Sequence, residues 1–162
     1  MPGPLPENQL LSQDHRDILN AFIAGGVEFL VVGAYALAAH GIPRATGDLD
    51  LHVHSTQENA ARVFTALKAF GAPLSDLTEN DLSTPGTVYQ IGLSPNRIDI
   101  LTLIDGVGFD QAWTNRMEID VDGMTIPVIG REDLIRNKRA VGRPQDLADV
   151  QRLLDEAPED HF

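Results

Sequence analysis

Residues 29–54, FLVVGAYALAAHGIPRATGDLDLHVH, carry the clearest structural pattern of this chain. The short apolar run at 29–32 is rich in β-branched side chains, which is typical of a buried strand. Gly33 ends that run, and the alanine-rich segment 34–40 predicts a short helix. Residues 48–54 alternate between polar and apolar side chains, which predicts a second strand with one buried face. The stretch therefore predicts a strand, a glycine turn, a helix, a loop and a strand.

Asp48 and Asp50 fall on the same face of the second strand, because side chains alternate along a strand. Two carboxylates this close repel each other and need a compensating cation. A hard divalent cation such as Mg²⁺ takes oxygen ligands and keeps positions open for substrate phosphates. A helix that begins just after Gly33 would also direct its N-terminal N–H groups toward an anion. A bare Asp-x-Asp is more often a solvated face, but together these features indicate a metal–nucleotide site.

A third acidic residue, Asp99, interrupts an apolar segment that predicts another strand. A lone acid in a buried strand is costly unless it is paired or binds a metal. The segment 87–93 predicts a strand as well, and the two would form a hairpin. Asp99 would then lie in a middle strand, beside the strand that carries the first two acids. The alternative is that Asp99 is the ion-pair partner of Arg97 or Arg44.

Three short motifs follow one another along the chain: VGA at 32–34, DLD at 48–50 and IDI at 98–100. They resemble the three-part signature of the DNA polymerase β-like nucleotidyltransferase superfamily. The chain departs from that signature at the turn, where Ala34 stands in place of the second Gly or Ser of the family. Alanine keeps the backbone donors but removes any hydroxyl contact to a phosphate.

Two further segments resemble a narrower group within that superfamily. They are the string RATGDLD at 44–50 and the C-terminal pattern KRxxxRPxDLxD at 138–149. The group holds the minimal nucleotidyltransferases and the abortive-infection type toxins of bacterial toxin–antitoxin systems. The resemblance covers roughly residues 27–154. It implies a toxin-like enzyme, with an antitoxin protein as one partner to test.

The resemblance also implies a fold and a reaction. The fold would be mixed α/β, of the α+β type: a small twisted sheet flanked by helices, with C-terminal helices beside the cleft. The reaction would transfer a nucleoside monophosphate from a nucleoside triphosphate to an acceptor hydroxyl. Asp48, Asp50 and Asp99 would be the catalytic residues and would bind two Mg²⁺ ions, or Mn²⁺ in their place. A tRNA end, a protein and a small hydroxylated molecule all stay open as acceptors, and so does the identity of the nucleotide.

Contacts to the nucleotide are expected on both sides of the acids. The glycine turn would orient the β- and γ-phosphates. Lys138 would reach the triphosphate as a point charge, although a solvated helix face is the alternative. Arg44 could reach the same phosphates or orient Asp50. The predicted nucleotide contacts are Gly33, Ala34, Arg44, Thr46 and Lys138.

His52 and His54 share the face of the first two acids and support a rival hypothesis, an Asp/His metallohydrolase that uses Zn²⁺ or Mn²⁺. A rise of ~3.3 Å per residue lets at most two neighbours share one ion. The simpler interpretation is that both histidines face solvent. Another rival is a non-catalytic binding module that keeps the fold and pairs with a partner protein. Ala34 favours that module weakly, and the three acids argue against it.

The composition of the chain excludes several classes of protein and of functional site. The chain has 162 residues, of which 43% are hydrophobic, and no cysteine, which excludes disulfides, thiolate zinc sites and a cysteine nucleophile. No apolar run approaches the ~20 residues of a spanning helix, and the N-terminus lacks a secretory signal. We therefore expect a cytoplasmic protein with no membrane partner.

The charge of the chain is strongly acidic, with a formal net value of −12. This value argues against duplex DNA or any nucleic acid bound by general electrostatics. Five of the 12 Lys and Arg residues nevertheless lie within 131–143, where an RNA end could dock.

One domain is expected over residues 1–162. The last helix has an apolar stripe formed by Leu147, Val150, Leu153 and Leu154. The expected parts are a loose N-terminus at 1–11, a nucleotidyltransferase-like core at 27–130, C-terminal helices at 131–156 and a loose tail at 157–162.

Overall fold

The computed structural model of the chain describes residues 11–44 and 47–156. Thr46, one of the predicted nucleotide contacts, lies outside these residues, as do 1–10 and the tail at 157–162. Within the described residues the elements in chain order are α1 (Gln13–Ala24), β1 (Phe29–Val32), α2 (Gly33–Ala39), β2 (Leu49–Val53), α3 (Gln57–Phe70), α4 (Glu79–Leu82), β3 (Val88–Ile91), β4 (Ile98–Leu101), α5 (Phe109–Thr114), β5 (Met117–Val121), β6 (Met124–Val128), α6 (Arg131–Val141) and α7 (Pro144–Asp155).

The strands form one mixed sheet in the order β3-β4-β2-β1-β6-β5. β1 pairs antiparallel with β2 and parallel with β6, and β2 pairs parallel with β4. β3–β4 and β5–β6 are antiparallel hairpins. The predicted mixed sheet flanked by helices is therefore confirmed, and so is the predicted hairpin that contains Asp99.

Local sequence explains where several elements begin and turn. The Ser12 hydroxyl caps α1 by accepting a hydrogen bond from the backbone N–H of His15 at 3.2 Å. The β5–β6 turn has a positive φ at both Asp122 and Gly123, as a two-residue hairpin turn requires. β1 passes directly into α2 at Gly33, so the predicted glycine turn is the first residue of the helix.

The alternating strand β2 separates two faces of the sheet. Leu49, Leu51 and Val53 are fully buried in the hydrophobic core, on the face opposite to Asp50. Ile98 and Ile100 continue this apolar face on β4. Asp50 is thereby directed to the other face, where it shares a cavity with residues of α6 and α7.

Leu11 is buried in the core, and it is the one described residue of the segment 1–11 that was expected to be loose. The prediction for the packing of α7 was wrong in part. Leu147 and Leu154 are 51% and 43% exposed, although they were expected to form the apolar stripe of α7. The buried face of α7 instead carries Asp146, Asp149, Val150 and Leu153, because cations from other elements compensate the two aspartates. No helix in the described part of the chain is both long and apolar enough to cross a membrane.

Candidate active site

Asp50 and Asp99 are direct neighbours on the two central strands β2 and β4. Their Cα atoms are register partners in the parallel pair, and their side chains are hydrogen-bonded to each other. Asp48 precedes β2 by one residue. The predicted position of Asp99, beside the strand of the first two acids, is confirmed.

Arg97 forms a two-pronged ion pair with Asp99. Its Nε lies 2.8 Å from Asp99 Oδ1 and its Nη2 lies 3.1 Å from Asp99 Oδ2. Nη2 also lies 3.7 Å from Asp48 Oδ2. Of the two arginines considered as alternatives, Arg97 is the partner of Asp99, and Arg44 pairs with Asp149 on α7 instead.

The β3–β4 turn holds Asp48 in place. Asp48 Oδ1 accepts a hydrogen bond from the backbone N–H of Arg97 at 3.0 Å, and Asp48 Oδ2 accepts one from Ser94 Oγ at 2.7 Å. Gly47 allows this approach, because a Cβ there would clash with the carbonyl oxygen of Pro95. Sequence reasoning missed Ser94, whose only signal was its place in a turn between two predicted strands.

Negative charge dominates the surroundings of Asp50. Burial raises the pKa of Asp50 to about 7, together with the charge of Asp99, the hydrogen bond with Asp99 and the charge of Asp48. The positive charge of Arg97 opposes this shift but does not cancel it. A carboxyl group in such surroundings favours an additional cation.

Gly33 brings the β1–α2 turn directly against Asp50. Its φ of +70° lies in the left-handed region, and a Cβ added there would clash with the Asp50 carboxylate. Ala34 follows in the first turn of α2 and is partly exposed. The predicted turn and the predicted acid therefore touch.

A cavity of about 250 Å³ opens beside this contact. Its lining includes Gly33, Asp50 and Lys138. The C-terminal helices border it, as the expected fold requires. The apolar part of the lining consists of Val32, Leu101, Leu103, Ile104 and Val141.

Lys138 is buried between two carboxylates of α7. Its Nζ lies 3.3 Å from Asp146 Oδ1 and 3.1 Å from Asp149 Oδ2, and only 9% of the residue is exposed. The alternative that Lys138 belongs to a solvated helix face is wrong. Arg143 Nε adds a 2.6 Å ion pair to Asp146.

The two aspartates of α7 are stabilised as anions, because neighbouring groups lower the pKa of both. The Arg143 hydrogen bond lowers the pKa of Asp146, with a further contribution from Lys138. Burial alone would raise the pKa of Asp149, but hydrogen bonds from Lys138, Arg44 and Gln145 lower it. Asp146 and Asp149 are three positions apart and therefore lie on one face of α7, together with the buried Val150 and Leu153. This spacing is the sequence feature from which the network could have been predicted.

His52 does not face solvent, so that prediction was wrong. It is 1% exposed, its ring packs edge-on against Phe109 at 5.1 Å, and burial lowers its pKa to about 4. The ring of His54 stacks on the Phe109 ring, with the ring centroids 4.5 Å apart. The Nδ1 atom of His54 lies 2.8 Å from Glu28 Oε1. Phe109 is the first residue of α5, so its contacts with both imidazole rings pack α5 against this end of the sheet.

The residues fit a hard divalent cation in donor type and charge. Asp48, Asp50 and Asp99 supply carboxylate oxygens, which Mg²⁺ and Mn²⁺ prefer, and burial followed by the charges of Asp99 and Asp48 raises the pKa of Asp50. Among residues 11–44 and 47–156, no three His, Cys, Asp or Glu side chains are already arranged around one ion position. In this arrangement Arg97 holds oxygens of Asp48 and Asp99 that would be ligands.

Solved structures of similar fold are nucleotidyltransferases by description. A candidate nucleotidyltransferase from Thermotoga maritima aligns with a TM-score of 0.57 at 18% identity, over 92% of this chain and 98% of its own. The lincosamide antibiotic adenylyltransferase LnuA, solved with lincomycin bound, gives 0.57 at 15% identity, over 91% and 99%. An antigenic nucleotidyltransferase-like protein from Paracoccidioides brasiliensis gives 0.51 at 15% identity, over 93% and 81%. At these identities the likeness shows a shared fold.

The family itself is identified at the level of sequence. A search of curated proteins found no match. The family model described as "Nucleotidyl transferase of unknown function (DUF2204)" matches residues 11–161, which is nearly the whole chain. This match includes the three acidic residues, the glycine turn and the α7 network, and the chain therefore belongs to that nucleotidyl transferase family.

Proposed function

We propose that this protein transfers a nucleoside monophosphate from a nucleoside triphosphate to an acceptor hydroxyl. The observation that carries the proposal is the meeting of Asp50 and Asp99 beside the Gly33 turn, in a setting where negative charge outweighs the nearby arginine. The family match supports the reaction class. Asp48, Asp50 and Asp99 are the proposed catalytic and metal-binding residues.

The proposed roles of the acids rest on the family resemblance, and the adjacent positions of Asp50 and Asp99 support them. Asp48 and Asp50 would hold the metal that binds the triphosphate, and Asp99 would hold a second one on the acceptor side. When bound, the two ions would neutralise the phosphates and lower the pKa of the acceptor hydroxyl. Asp99, or the Asp50–Asp99 pair, would take the hydroxyl proton. The acceptor oxygen then bonds to the α-phosphorus, the bond from that phosphorus to the bridging oxygen breaks, and pyrophosphate leaves with both electrons.

Two parts of the cavity lining would bind the phosphates. The backbone N–H groups of Gly33 and Ala34 would contact the β- and γ-phosphates. Lys138 also lines the cavity and would add a point charge without leaving the acids of α7. Arg44, which Asp149 holds, is proposed to position the loop before Asp48. Thr46 stays a predicted contact outside the described residues.

The acceptor is proposed as a class only, a hydroxyl compound, and three sources are to be compared. A small hydroxylated molecule is one arm, because LnuA is an adenylyltransferase solved with lincomycin bound. A tRNA end and a protein are the other two, since the sequence resembles the toxin-like group. A transfer that requires a tRNA or protein acceptor would favour the toxin hypothesis and an antitoxin partner.

The proposal is tested by labelling. The protein is incubated with each α-labelled nucleoside triphosphate and Mg²⁺ or Mn²⁺, with total RNA, lysate protein or a small-molecule extract as acceptor. We expect label in one acceptor class and none after EDTA. Calorimetry with each nucleotide runs in parallel. Absence of metal-dependent nucleotide binding at millimolar ligand would contradict the enzyme and favour the non-catalytic binding module.

Lys138→Gln tests the phosphate contact, and thermal unfolding of the same variant measures the stability lost with the ion pairs to Asp146 and Asp149. We expect several-fold weaker triphosphate binding, because the cavity loses a positive charge on its wall. Arg139→Gln is the matched control, since Arg139 lies next to it on α6 but is exposed. Equal affinity in both variants would remove Lys138 from the nucleotide site.

A further inference from the structure

Arg97 occupies the positions on Asp99 that an entering cation needs. Both carboxylate oxygens of Asp99 accept hydrogen bonds from its guanidinium, at 2.8 and 3.1 Å, and Asp99 is also hydrogen-bonded to Asp50. The same guanidinium approaches Asp48 to 3.7 Å. A metal ion at Asp99 would therefore meet a positive charge already in place.

The backbone of Arg97 is anchored independently of its side chain. Its N–H donates to Asp48 Oδ1 at 3.0 Å, and its carbonyl oxygen accepts from the backbone N–H of Leu49 at 2.9 Å. These bonds tie the start of β4 to the start of β2. Asp48 and Asp99 would thus keep their places if the guanidinium moved away.

The Arg97 side chain can leave without burying its charge. One third of it, 33%, is exposed to solvent, whereas the Asp99 side chain is only 11% exposed. An arginine side chain has several rotatable bonds, so a rotation toward solvent releases the carboxylate oxygens. The exchange of cations therefore requires no movement of a strand.

We propose that Arg97 is a resident counter-ion of Asp48 and Asp99, which a divalent metal displaces when it binds the acid cluster. The proposal rests on the function proposed above, because the entering cation is the catalytic metal. Before metal binds, Arg97 limits the repulsion among the carboxylates. The ion pair must break when the metal binds, and this requirement lowers the affinity of the nucleotide-free protein for the metal.

Metal titration of the nucleotide-free protein tests the exchange. Calorimetry with Mg²⁺ and Mn²⁺ compares wild type with Arg97→Gln and Arg97→Lys. We expect roughly tenfold tighter binding in Arg97→Gln, because a competing charge within a few ångströms is gone. Arg97→Lys keeps the charge but not the two-pronged geometry, and should fall in between.

The chain offers a close control in Arg16. Its Nε lies 2.6 Å from Asp122 Oδ2, and 35% of its side chain is exposed, nearly the same as for Arg97. Arg16→Gln therefore removes a similarly exposed arginine from an ion pair away from the central strands, although its partner Asp122 is more exposed than Asp99, 52% against 11%. We expect metal affinity to stay at the wild-type value. Circular dichroism verifies that each variant is folded.

A second measurement needs no variant. The Nε–H of Arg97 is hydrogen-bonded to Asp99 and should give a slowly exchanging NMR signal in the metal-free protein. Saturation with Mg²⁺ should remove that protection. A signal that persists at saturation would overturn the proposal, even if Arg97→Gln does not fold.

The outcomes separate this inference from the proposed function. Unchanged or weaker metal binding in Arg97→Gln would overturn the inference alone and would make Arg97 a residue that positions Asp99. No metal binding by any variant, with or without nucleotide, would overturn both. Tighter metal binding in Arg97→Gln, with no nucleotide transfer by wild type, would support the exchange and contradict the enzyme.

Discussion

Two groups of aspartates, each with one member in the lining of the same cavity, lie in opposite electrostatic surroundings. The sheet acids are Asp48, Asp50 and Asp99, and the helix acids are Asp146 and Asp149. The pKa of Asp50 is raised to about 7 by burial and by its acidic neighbours. The pKa values of both helix acids are lowered by hydrogen bonds from cations.

The difference comes from where the cations are attached. Lys138 on the neighbouring helix and Arg44 on the loop before β2 both reach Asp149, and Arg143 reaches Asp146. At Asp50 the positive charge of Arg97 opposes the raised pKa, but Arg97 pairs mainly with Asp99. Aspartates with built-in cations join elements together, whereas aspartates with surplus negative charge are suited to an external cation.

The largest effect is expected at the centre of the sheet acids. Asp50→Asn should reduce nucleotide transfer on the order of 10²–10⁴-fold, because the site loses a metal ligand at the point of charge development. The metal-free variant should be at least as stable as wild type, since one source of repulsion is gone. Transfer assays and thermal unfolding without metal measure the two effects.

Asp120→Asn is the control for that prediction, because Asp120 lies on β5 and its side chain contacts the exposed Thr125. It should change neither transfer nor stability. If Asp50→Asn lowered the melting temperature strongly without metal, Asp50 would be a structural acid, and the contrast between the two groups would disappear.

Substitution of the helix acids should lower the stability of the fold. Asp149→Asn leaves Lys138 and Arg44 without their shared carboxylate in a fully buried position. We expect a loss of about 3 kcal/mol in the free energy of unfolding, which urea denaturation measures. Asp155→Asn, exposed at the end of the same helix, should lose less than about 0.5 kcal/mol. Equal losses would mean that the α7 network is not structural.

The contact between Gly33 and Asp50 is tested by a pair of glycine substitutions. Gly33 and Gly26 have nearly the same positive φ, +70° and +67°, but a Cβ at Gly26 would meet no atom within 4 Å. Both Ala variants should lose about 1–2 kcal/mol from backbone strain. Only Gly33→Ala should also weaken metal-dependent nucleotide binding, which calorimetry detects. Equal binding in both variants would separate the turn from the acid site.

The smallest effect is expected for the pH-dependent contribution of Asp146 to the free energy of unfolding. Arg143 lowers the folded-state pKa of Asp146 below the unfolded value of about 3.9. The stabilisation is therefore present above pH ~4 and is lost as the pH falls through the lower folded value. Because the Arg143 side chain is 72% exposed, we expect less than about 1 kcal/mol. Unfolding of wild type and Asp146→Asn from pH 6 to pH 2.5 measures it, and a difference that grows on acidification would reverse the assignment.

Local periodicity in the sequence determined most of the strands and the face that carries the acids. A period of two places Asp48 and Asp50 together whatever the sheet around them, and the Gly33 turn follows from an apolar run that ends in glycine. The hairpins of β3–β4 and β5–β6 followed from turn residues between short strands. These features depend on neighbours within a few residues.

Only the tertiary structure decided which charges pair. Arg97 and Arg44 were equivalent candidates for Asp99 in the sequence, and the fold brought Arg44 to Asp149, 105 positions away. The same packing turned Leu147 outward, because α7 buries two neutralised aspartates on its inner face. It also buried His52 under Phe109. Such partners come from elements distant in the chain, so the charge balance that distinguishes the two acid groups is set by packing and not by local pattern.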